Sequence, residues 1–406
     1  MISIQKDKNI FFHLLLVWVC LVSAAPFVFY MWPFHPHRLL IFVCLLLMSV
    51  KLLVSKRKVL LSQNVVIIFI IQMIFFILMS LFYSVFELNN HVFQLIACLI
   101  IFAYIQRFVG FENFAKSYII ILISMGIGGV ITFFLHLFIG INPIFEVQYG
   151  PASTTFFLGL TSTNVYVNVG DFRFIRFAGF FDEPGAFALY SLFALLINKV
   201  YFNNKRYEIL LISTTIFTFS MAYYIIVVLY FGLFYFRLKY TGFILILFSI
   251  IWIGYSALNN YSGDNESIQR IRQSTIERFE INEDGELSGN SRKLHTEHDK
   301  QVFLDNPFWG VGDPNLTMGS NHFTVFARFG ILGSLFYYLL MIYFFHLILC
   351  LHGSFRSTCF KVILLILINL FHRPEFASAF IIVSIYTMIY KVEQTIKMQK
   401  LNQSST

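Results

Sequence analysis

The sequence predicts an all-α polytopic membrane protein with about twelve transmembrane helices, and three observations support this fold class. Hydrophobic residues make up 58% of the chain and charged residues 12%, whereas a soluble domain is about 45–50% apolar and about 25% charged. Apolar runs of roughly 20 residues recur along the chain, which is the length of a helix that crosses about 30 Å of hydrocarbon. The short connectors alternate between basic and nearly uncharged, as the positive-inside rule requires.

The predicted spans follow one another with short connectors, except at two points. They lie near 11–32, 38–54, 64–86, 91–108, 117–141, 180–200, 207–220, 222–237, 241–258, 329–350, 356–371 and 375–391. The seventh and eighth spans abut near Ser220, and without a turn there the number of spans would be odd. Residues 142–177 form a first outside loop within the first nine spans (1–258). Residues 259–328 form the large extracytoplasmic loop, and 329–406 hold spans ten to twelve and a short cytoplasmic tail.

The basic residues set the orientation. The connector with Lys56, Arg57 and Lys58 is strongly basic, while the next connector has no basic residue. This alternation predicts that both termini lie in the cytoplasm. The net charge of +8 therefore reflects topology and does not indicate a nucleic-acid partner. The five cysteines fall in or at the ends of apolar spans and show no disulfide or metal-binding spacing.

The large outside loop is polar within an otherwise apolar chain. Asp264 or Asn265 is suited to cap a helix that ends near Phe279, and Asn290 or Ser291 is suited to cap a second helix. The outside face carries mostly arginine, whereas the inside face carries mostly lysine. A guanidinium is planar and holds several N–H donors in a fixed geometry, which suits the recognition of phosphate. The alternative is that these arginines pair with the acids of the loop itself.

The first candidate site lies where the first outside loop leads into the sixth span. Arg173 and Arg176 precede Glu183, which stands directly before Pro184-Gly185, a pattern typical of a helix start. Charges at a membrane boundary are costly unless they are paired or functional. We expect Arg176, with Arg173, to bind a phosphate group and Glu183 to orient an arginine or take a proton. The alternative is a structural ion pair at the interface.

Further candidates lie in and just after the large loop. Arg292 would lie in the first turn of the second loop helix, near backbone donors, or it is a solvated surface residue. His322 is suited to accept a proton from a sugar hydroxyl, because the imidazole pKa lies near neutrality. The alternative for His322 is an interfacial side chain bonded to a backbone carbonyl. Arg328 follows at the beginning of the tenth span as a further candidate substrate-binding cation.

A metal site was weighed at one helical face of the loop. His295, His298 and Asp299 stand at i, i+3 and i+4, but this spacing is common on any charged helix. We expect no metal and no other cofactor. The sequence contains no Walker, GxSxG, HExxH or Rossmann pattern.

Several motifs together resemble the O-antigen polymerase and O-antigen ligase superfamily. These are the Arg176-x-x-Gly179 motif before the helix start at Pro184, and an ordered series in the long loop and after it. The loop series consists of Gly289–Arg292, Asp305–Gly312, Asn321-His322 and Gly330–Gly333. The family often has a histidine shortly before an asparagine, whereas Asn321 precedes His322 here. The motif resemblance covers about Arg173 to Leu335, and the remainder is similar by topology alone.

This resemblance implies a metal-independent membrane glycosyltransferase, with a helical fold of the kind found in lipid-sugar glycosyltransferases. The implied reaction transfers a polyprenyl-pyrophosphate-linked oligosaccharide onto the sugar hydroxyl of another lipid-linked repeat unit at the outer face of the inner membrane. The product would be O-antigen, capsule or another surface polysaccharide. Membrane lipid, a chain-length regulator and a flippase are the expected partners. In this scheme Arg176, Arg292, Arg173 and Arg328 bind the substrate, and His322 with Glu183 serves catalysis.

Two other functions remain open from the sequence. The sibling ligase would transfer a finished glycan to a lipid A-core acceptor. A transporter of the same sugar lipids would show charges inside its spans and broken helices at mid-membrane. The spans here are nearly free of charge and the charged residues gather at one outside face, which favours chemistry at the surface over transport.

Overall fold

A computed structural model gives the architecture. It describes residues 9–23, 36–55, 61–142, 145–149, 152–156, 163–169, 172–181, 183–236, 249, 252–253, 256–257, 260–261, 292–319, 321–372, 374 and 378–404. The ninth predicted span and the first predicted loop helix, which ends near Phe279, lie outside these residues or almost entirely so. Asp182 and Gly289–Ser291 of the sequence motifs also lie outside them.

Helices dominate the described chain. In order they are α1 (Ile10–Ser23), α2 (Pro36–Val54), α3 (Gln63–Tyr83), α4 (Asn89–Tyr104), α5 (Phe111–Ile139), α6 (Pro184–Tyr201), α7 (Lys205–Thr215), α8 (Met221–Tyr235), α9 (Arg292–Asp305), α10 (Thr324–Tyr337), α11 (Leu339–Leu349), α12 (Ser354–His372) and α13 (Ala379–Ser404). In the part of the chain that the structure describes, seven helical segments are long and apolar enough to cross a membrane. The multi-pass helical architecture is therefore confirmed, and the count of twelve spans stays a prediction.

Helices α6 and α13 form the centre of the bundle. In the most apolar window of each, 89% and 78% of the residues are buried inside the protein, against 17% for α2. Phe380 of α13 packs on the rings of Phe181 and Tyr190, with centroids 5.7 and 4.9 Å apart. On α2 most apolar side chains are exposed, as expected for a helix at the rim that faces lipid rather than protein.

Helices α7 and α8 form a hairpin. Its turn runs through Ile216–Thr218 and Phe219, which has a left-handed φ of 51°. At the other end Glu208 of α7 accepts hydrogen bonds from Tyr230 and Tyr235 of α8, at 2.9 and 2.6 Å. This antiparallel arrangement confirms the predicted turn near Ser220.

The first outside loop holds a feature that an all-helical prediction misses. Four antiparallel strands form a meander, β1 (Phe145–Tyr149), β2 (Ala152–Phe156), β3 (Thr163–Val169) and β4 (Phe172–Gly179). In the sequence of β3 the β-branched residues Thr163, Val165, Val167 and Val169 alternate with Asn164, Tyr166 and Asn168, which is the two-residue period of a strand. The sheet therefore corrects the prediction for residues 142–177, where only a loop was expected.

Strand β4 ends inside the helical bundle. Phe177 and Ala178 are fully buried. A methyl group on Gly129 of α5 would lie 2.5 Å from the ring of Phe177. Because Gly129 has no side chain, the end of the strand can pack against α5. This packing positions Arg176, the residue before Phe177, next to the α7–α8 hairpin.

Candidate functional site

Helix α10 is broken two residues after Arg328. Gly330 has φ 63° and ψ −171°, so two helical hydrogen bonds of the ladder cannot form. The segment Pro307–Gly312 supplies replacements for all four backbone groups. Val311 and Gly312 donate to the carbonyls of Ala327 and Arg328 at 2.9 and 2.8 Å, and Ile331 and Leu332 donate to the carbonyls of Pro307 and Phe308 at 2.8 and 3.1 Å. The loop is therefore inserted into the helix ladder at the membrane boundary, where unpaired backbone groups would be costly.

Two glycines make this insertion sterically possible. A Cβ added to Gly330 would lie 2.2 Å from the carbonyl carbon of Phe308, and one added to Gly310 would lie 2.4 Å from that of Arg328. Both glycines have positive φ, which side chains disfavour. The hydroxyl of Tyr83, the last residue of α3, donates to the Gly310 carbonyl at 2.8 Å. The segment is thus held between α3 and the break in α10.

A buried carboxylate, Asp299, ties helix α9 to the beginning of α10. Its side chain has no exposure to solvent. Its oxygens accept hydrogen bonds from the Met318 amide (2.7 Å), the Asn321 side-chain amide (2.7 Å) and the Thr324 hydroxyl (2.9 Å), and His298 Nδ1 lies 3.3 Å away. Burial raises the Asp299 pKa, but the donated hydrogen bonds outweigh burial and hold it below its usual range. The carboxylate is charged at neutral pH and fixes the segment 317–324.

His322 follows directly on this network. Asn321 positions it, because the Asn321 side chain accepts a hydrogen bond from the Phe323 amide at 2.9 Å and donates to Asp299. The imidazole is half-buried and lies against the Phe323 ring, with centroids 4.6 Å apart. Burial lowers the His322 pKa. A neutral imidazole that can accept a proton is therefore the main form at pH 7.

Arg328 lies in α10, which begins two residues after His322. Its Nε donates to Thr317 Oγ1 at 2.8 Å, and its Nη2 lies 3.8 Å from the point where a Cβ on Gly319 would stand. The residue is half-buried. Its backbone carbonyl accepts the hydrogen bond from the Gly312 amide of the inserted loop. Arg328 is therefore bonded to Thr317, the neighbour of Met318 in the Asp299 network, and Asn321 of that network directly precedes His322.

Arg176 lies at the turn of the α7–α8 hairpin. Its Nε donates to the Thr218 carbonyl at 2.9 Å and its Nη2 to the Phe219 carbonyl at 3.1 Å. Two nitrogens of the guanidinium therefore fix the left-handed turn at Phe219. The structural role of Arg176 is clear from these bonds, and its predicted contact with phosphate stays a proposal.

The other three predicted site residues are placed by their backbones. Glu183 is the half-buried N-cap residue of α6, and its carbonyl accepts from the Ala186 amide at 3.0 Å. Arg173 lies on β4 opposite Asn168 of β3. Arg292 is the first residue of α9, which confirms the predicted second loop helix.

Two parts of the chain contact the beginning of α13 or the segment that leads into it. In the first, Phe181, two residues before Glu183, packs on Phe380 of α13. In the second, Tyr338, at the end of α10, donates to the Pro374 carbonyl at 3.2 Å. The chain just before Glu183 and the end of α10 therefore both contact α13 or the segment before it.

The three residues weighed as a metal site have another arrangement. Asp299 points inward and is occupied by protein donors, while the Asn321 side chain donates to the His295 carbonyl at 3.2 Å. Across the described ranges no group of three or more histidine, cysteine, aspartate or glutamate side chains is placed to hold a metal ion.

Sequence reasoning missed the Asp299–Asn321–Thr324 network and the break at Gly330. One signal was present for the network, since Asp299 stands four residues before Phe303, whose ring packs on Phe326 of α10 with centroids 5.9 Å apart. An acid on the same helical face as a packed aromatic residue indicates a buried, bonded carboxylate.

Comparisons with known proteins give no relative from which to carry over a role. No protein-family model, no curated protein and no solved structure matches this chain.

Proposed function

We propose that this protein is a membrane glycosyltransferase that polymerises a bacterial surface polysaccharide. It would transfer a polyprenyl-pyrophosphate-linked glycan onto a sugar hydroxyl of another lipid-linked repeat unit at the outer face of the inner membrane. The observation that carries the proposal is the turn at the broken helix α10. There Asp299 holds Asn321, which precedes a half-buried imidazole of lowered pKa, and Met318, which follows the Thr317 partner of the Arg328 guanidinium.

The chemistry needs a proton acceptor and cations. His322 takes the proton of the acceptor hydroxyl as the new bond forms between that oxygen and the anomeric carbon of the donor. The bond from the anomeric carbon to the pyrophosphate oxygen breaks, and its electron pair leaves with the lipid pyrophosphate. Arginine guanidinium groups stabilise the negative charge that develops on this leaving group. No redox partner is required, since all atoms and charges balance between donor and acceptor.

The remaining residues take supporting roles in the proposal. Arg328 is bonded to Thr317 beside the Asp299 network, and Arg292 begins the helix that carries Asp299. Arg176 and Arg173 lie on β4, where they would bind the second pyrophosphate or the sugar chain. Glu183, at the beginning of α6, would orient one of these arginines.

A gel of the surface glycan in a deletion strain tests the proposal and separates it from its alternatives. Loss of a polymerase leaves single repeats on the lipid A-core, and loss of a ligase leaves the core without glycan. Complementation with His322→Ala or Arg328→Ala should restore only single repeats, while an exposed loop variant such as Lys300→Ala should restore the ladder. A normal ladder in the deletion strain itself would refute the polymerase function.

The pH dependence of the reaction reports on His322. Because burial lowers its pKa from the usual 6.5, the imidazole stays neutral to a lower pH than a solvated histidine. We expect the rate of glycan elongation by the purified protein to fall on the acid side with an inflection below pH 6.5. The His322→Ala variant should lose about 10²–10⁴-fold in rate and lose this inflection. An inflection that persists unchanged in His322→Ala would assign the titration to another group.

Arg176 is expected to stabilise the protein as well as to act on the substrate. Arg176→Ala removes two hydrogen bonds from a charged donor, which costs about 1.5–3 kcal/mol of stability. Thermal unfolding is measurable with a thiol-reactive dye, because Cys20, Cys98 and Cys359 are buried and free. If the phosphate role is right, Arg176→Ala stays inactive well below its unfolding temperature. Full activity of Arg176→Ala at low temperature would show that Arg176 has a structural role only.

A further inference from the structure

An open cavity lies at the opposite end of the bundle from His322. Its volume is about 470 Å³, and it is formed by the junction of α6 and α7, the end of α8 and the beginning of α12. The positive-inside rule assigns this end to the cytoplasm. Lysines, hydroxyl groups and aromatic rings line it together. The residues are Lys199, Val200, Tyr201, Phe202, Asn203, Lys205, Phe234, Tyr235, Ser354, Phe355, Thr358 and Lys361.

The cavity carries an excess of positive charge. Three lysines line it, and no aspartate or glutamate is among the described lining residues. The nearest acid is Glu208, which is 3% exposed and lies 3.1 Å from Lys199 and 3.8 Å from Lys205. Three positive charges against one negative charge leave an excess of two, and Glu208 also accepts from Tyr230 and Tyr235. The single carboxylate is thus surrounded by donors and does not neutralise Lys361.

Hydrogen bonds hold the buried part of the cavity in a defined arrangement. Lys199 is 8% exposed and is fixed by Glu208, by Asn203 at 3.2 Å and by the Tyr235 hydroxyl. Burial of a lysine is costly unless it is paired. Opposite to it the first turn of α12 presents Ser354 and Thr358, and this turn has no acidic residue. Hydroxyls and backbone amides at a helix start favour an anion.

The surface next to the cavity is apolar in one direction. Phe360, Leu364 and Leu367 follow on one face of α12 and are 42%, 43% and 47% exposed. Lys361 lines both the lysine cavity and a second opening formed with Arg356, Phe360 and Leu364. A charged cavity that continues into a lipid-facing apolar stripe matches a molecule with an anionic head and hydrocarbon chains.

We propose that this cavity binds an anionic phospholipid of the leaflet at this end of the bundle. Its headgroup phosphate lies among Lys199, Lys205 and Lys361, and its acyl chains lie along Phe360, Leu364 and Leu367. Basic pockets between transmembrane helices on the cytoplasmic side are typical sites for such headgroups. This site lies at the other end of the bundle from the proposed glycan site. Lipid binding here therefore does not depend on whether the protein has the proposed activity.

Native mass spectrometry of the purified protein tests this site. The probes are phosphatidylglycerol, phosphatidylcholine and inorganic phosphate, each titrated onto delipidated protein. We expect one phosphatidylglycerol to bind tightly, phosphatidylcholine to bind weakly, and inorganic phosphate not to compete at equal concentration. Lys361→Gln should weaken phosphatidylglycerol binding about fivefold, and Arg356→Gln should weaken it less.

The matched control is Lys400→Gln, which removes an exposed lysine of α13 at the same predicted face of the membrane. It should leave the binding constant unchanged. Equal affinity for the two lipids, or equal loss in Lys361→Gln and Lys400→Gln, would overturn the proposal. Full competition by inorganic phosphate would show a free-anion site in place of a lipid site. Dye-detected unfolding of Lys361→Gln at the wild-type temperature excludes misfolding as the cause.

Discussion

Gly330→Ala is expected to abolish glycan elongation and to destabilise the protein. The new methyl group would lie 2.2 Å from the Phe308 carbonyl carbon, and φ 63° with ψ −171° is a conformation that is essentially confined to glycine. Backbone strain alone costs about 1–3 kcal/mol, and the clash with a backbone atom adds to it. Relief requires α10 to close into a continuous helix, which expels Pro307–Gly312 and moves Arg328. Unfolding with the thiol-reactive dye and the glycan ladder measure the two effects.

A matched glycine separates strain from clash. Gly140 also has a positive φ, 71°, but a Cβ there would meet nothing within 4 Å. Gly140→Ala should therefore show only the strain cost and keep the ladder. If Gly330→Ala behaves like Gly140→Ala in both measurements, the inserted loop does not hold the site in the way described.

Asp299→Ala is expected to cost about 3–5 kcal/mol of stability, because it removes a buried charged acceptor from three bonded donors. The Met318 amide, the Asn321 amide and the Thr324 hydroxyl would lose their acceptor in a site closed to water. His322 would lose its fixed position at the same time, so activity should fall with stability. Thermal unfolding and elongation assays measure the two consequences.

Asp305→Ala is the control for Asp299→Ala. Asp305 is an exposed carboxylate at the end of the same helix and accepts from Gln301 at 3.0 Å. Its removal should change stability by no more than about 0.5 kcal/mol. Since the folded-state pKa of Asp299 is lowered from its ordinary 3.8, its stabilisation is complete above that value and is lost as the pH falls through the folded pKa. Acid unfolding of the wild type should therefore show a component that Asp299→Ala lacks.

The membrane part of the fold was predictable because lipid leaves few choices. An apolar run of about 20 residues must be a helix when its backbone groups have no water to bond. The predicted span 38–54 corresponds to α2, Pro36–Val54, and the predicted turn near Ser220 is the α7–α8 turn. The sheet in the first outside loop was missed because its strands are short and their partners are set by pairing within the loop, which residue-by-residue composition does not reveal.

The candidate site was predictable in its residue types and not in its geometry. His322 and Arg328 were predicted from the chemistry suited to a membrane boundary, and the fold links both to the Asp299 network. The break at Gly330 depends on a loop that arrives from twenty residues earlier, so local sequence gives no sign of it. The bonds of Arg176 to the carbonyls of Thr218 and Phe219 in the α7–α8 turn could not be predicted, because that turn lies about forty residues later in the chain. The contact of Arg176 with phosphate stays a prediction.

The central claim is tested most directly with purified protein and a lipid-linked repeat unit extracted from the deletion strain, where it should accumulate. The measurement is mass spectrometry of the lipid-linked products over time. The account predicts chains that grow by whole repeat units, with one polyprenyl pyrophosphate released for each new linkage, and no growth with Arg328→Ala. A folded wild-type protein that neither lengthens the glycan nor releases polyprenyl pyrophosphate would contradict it.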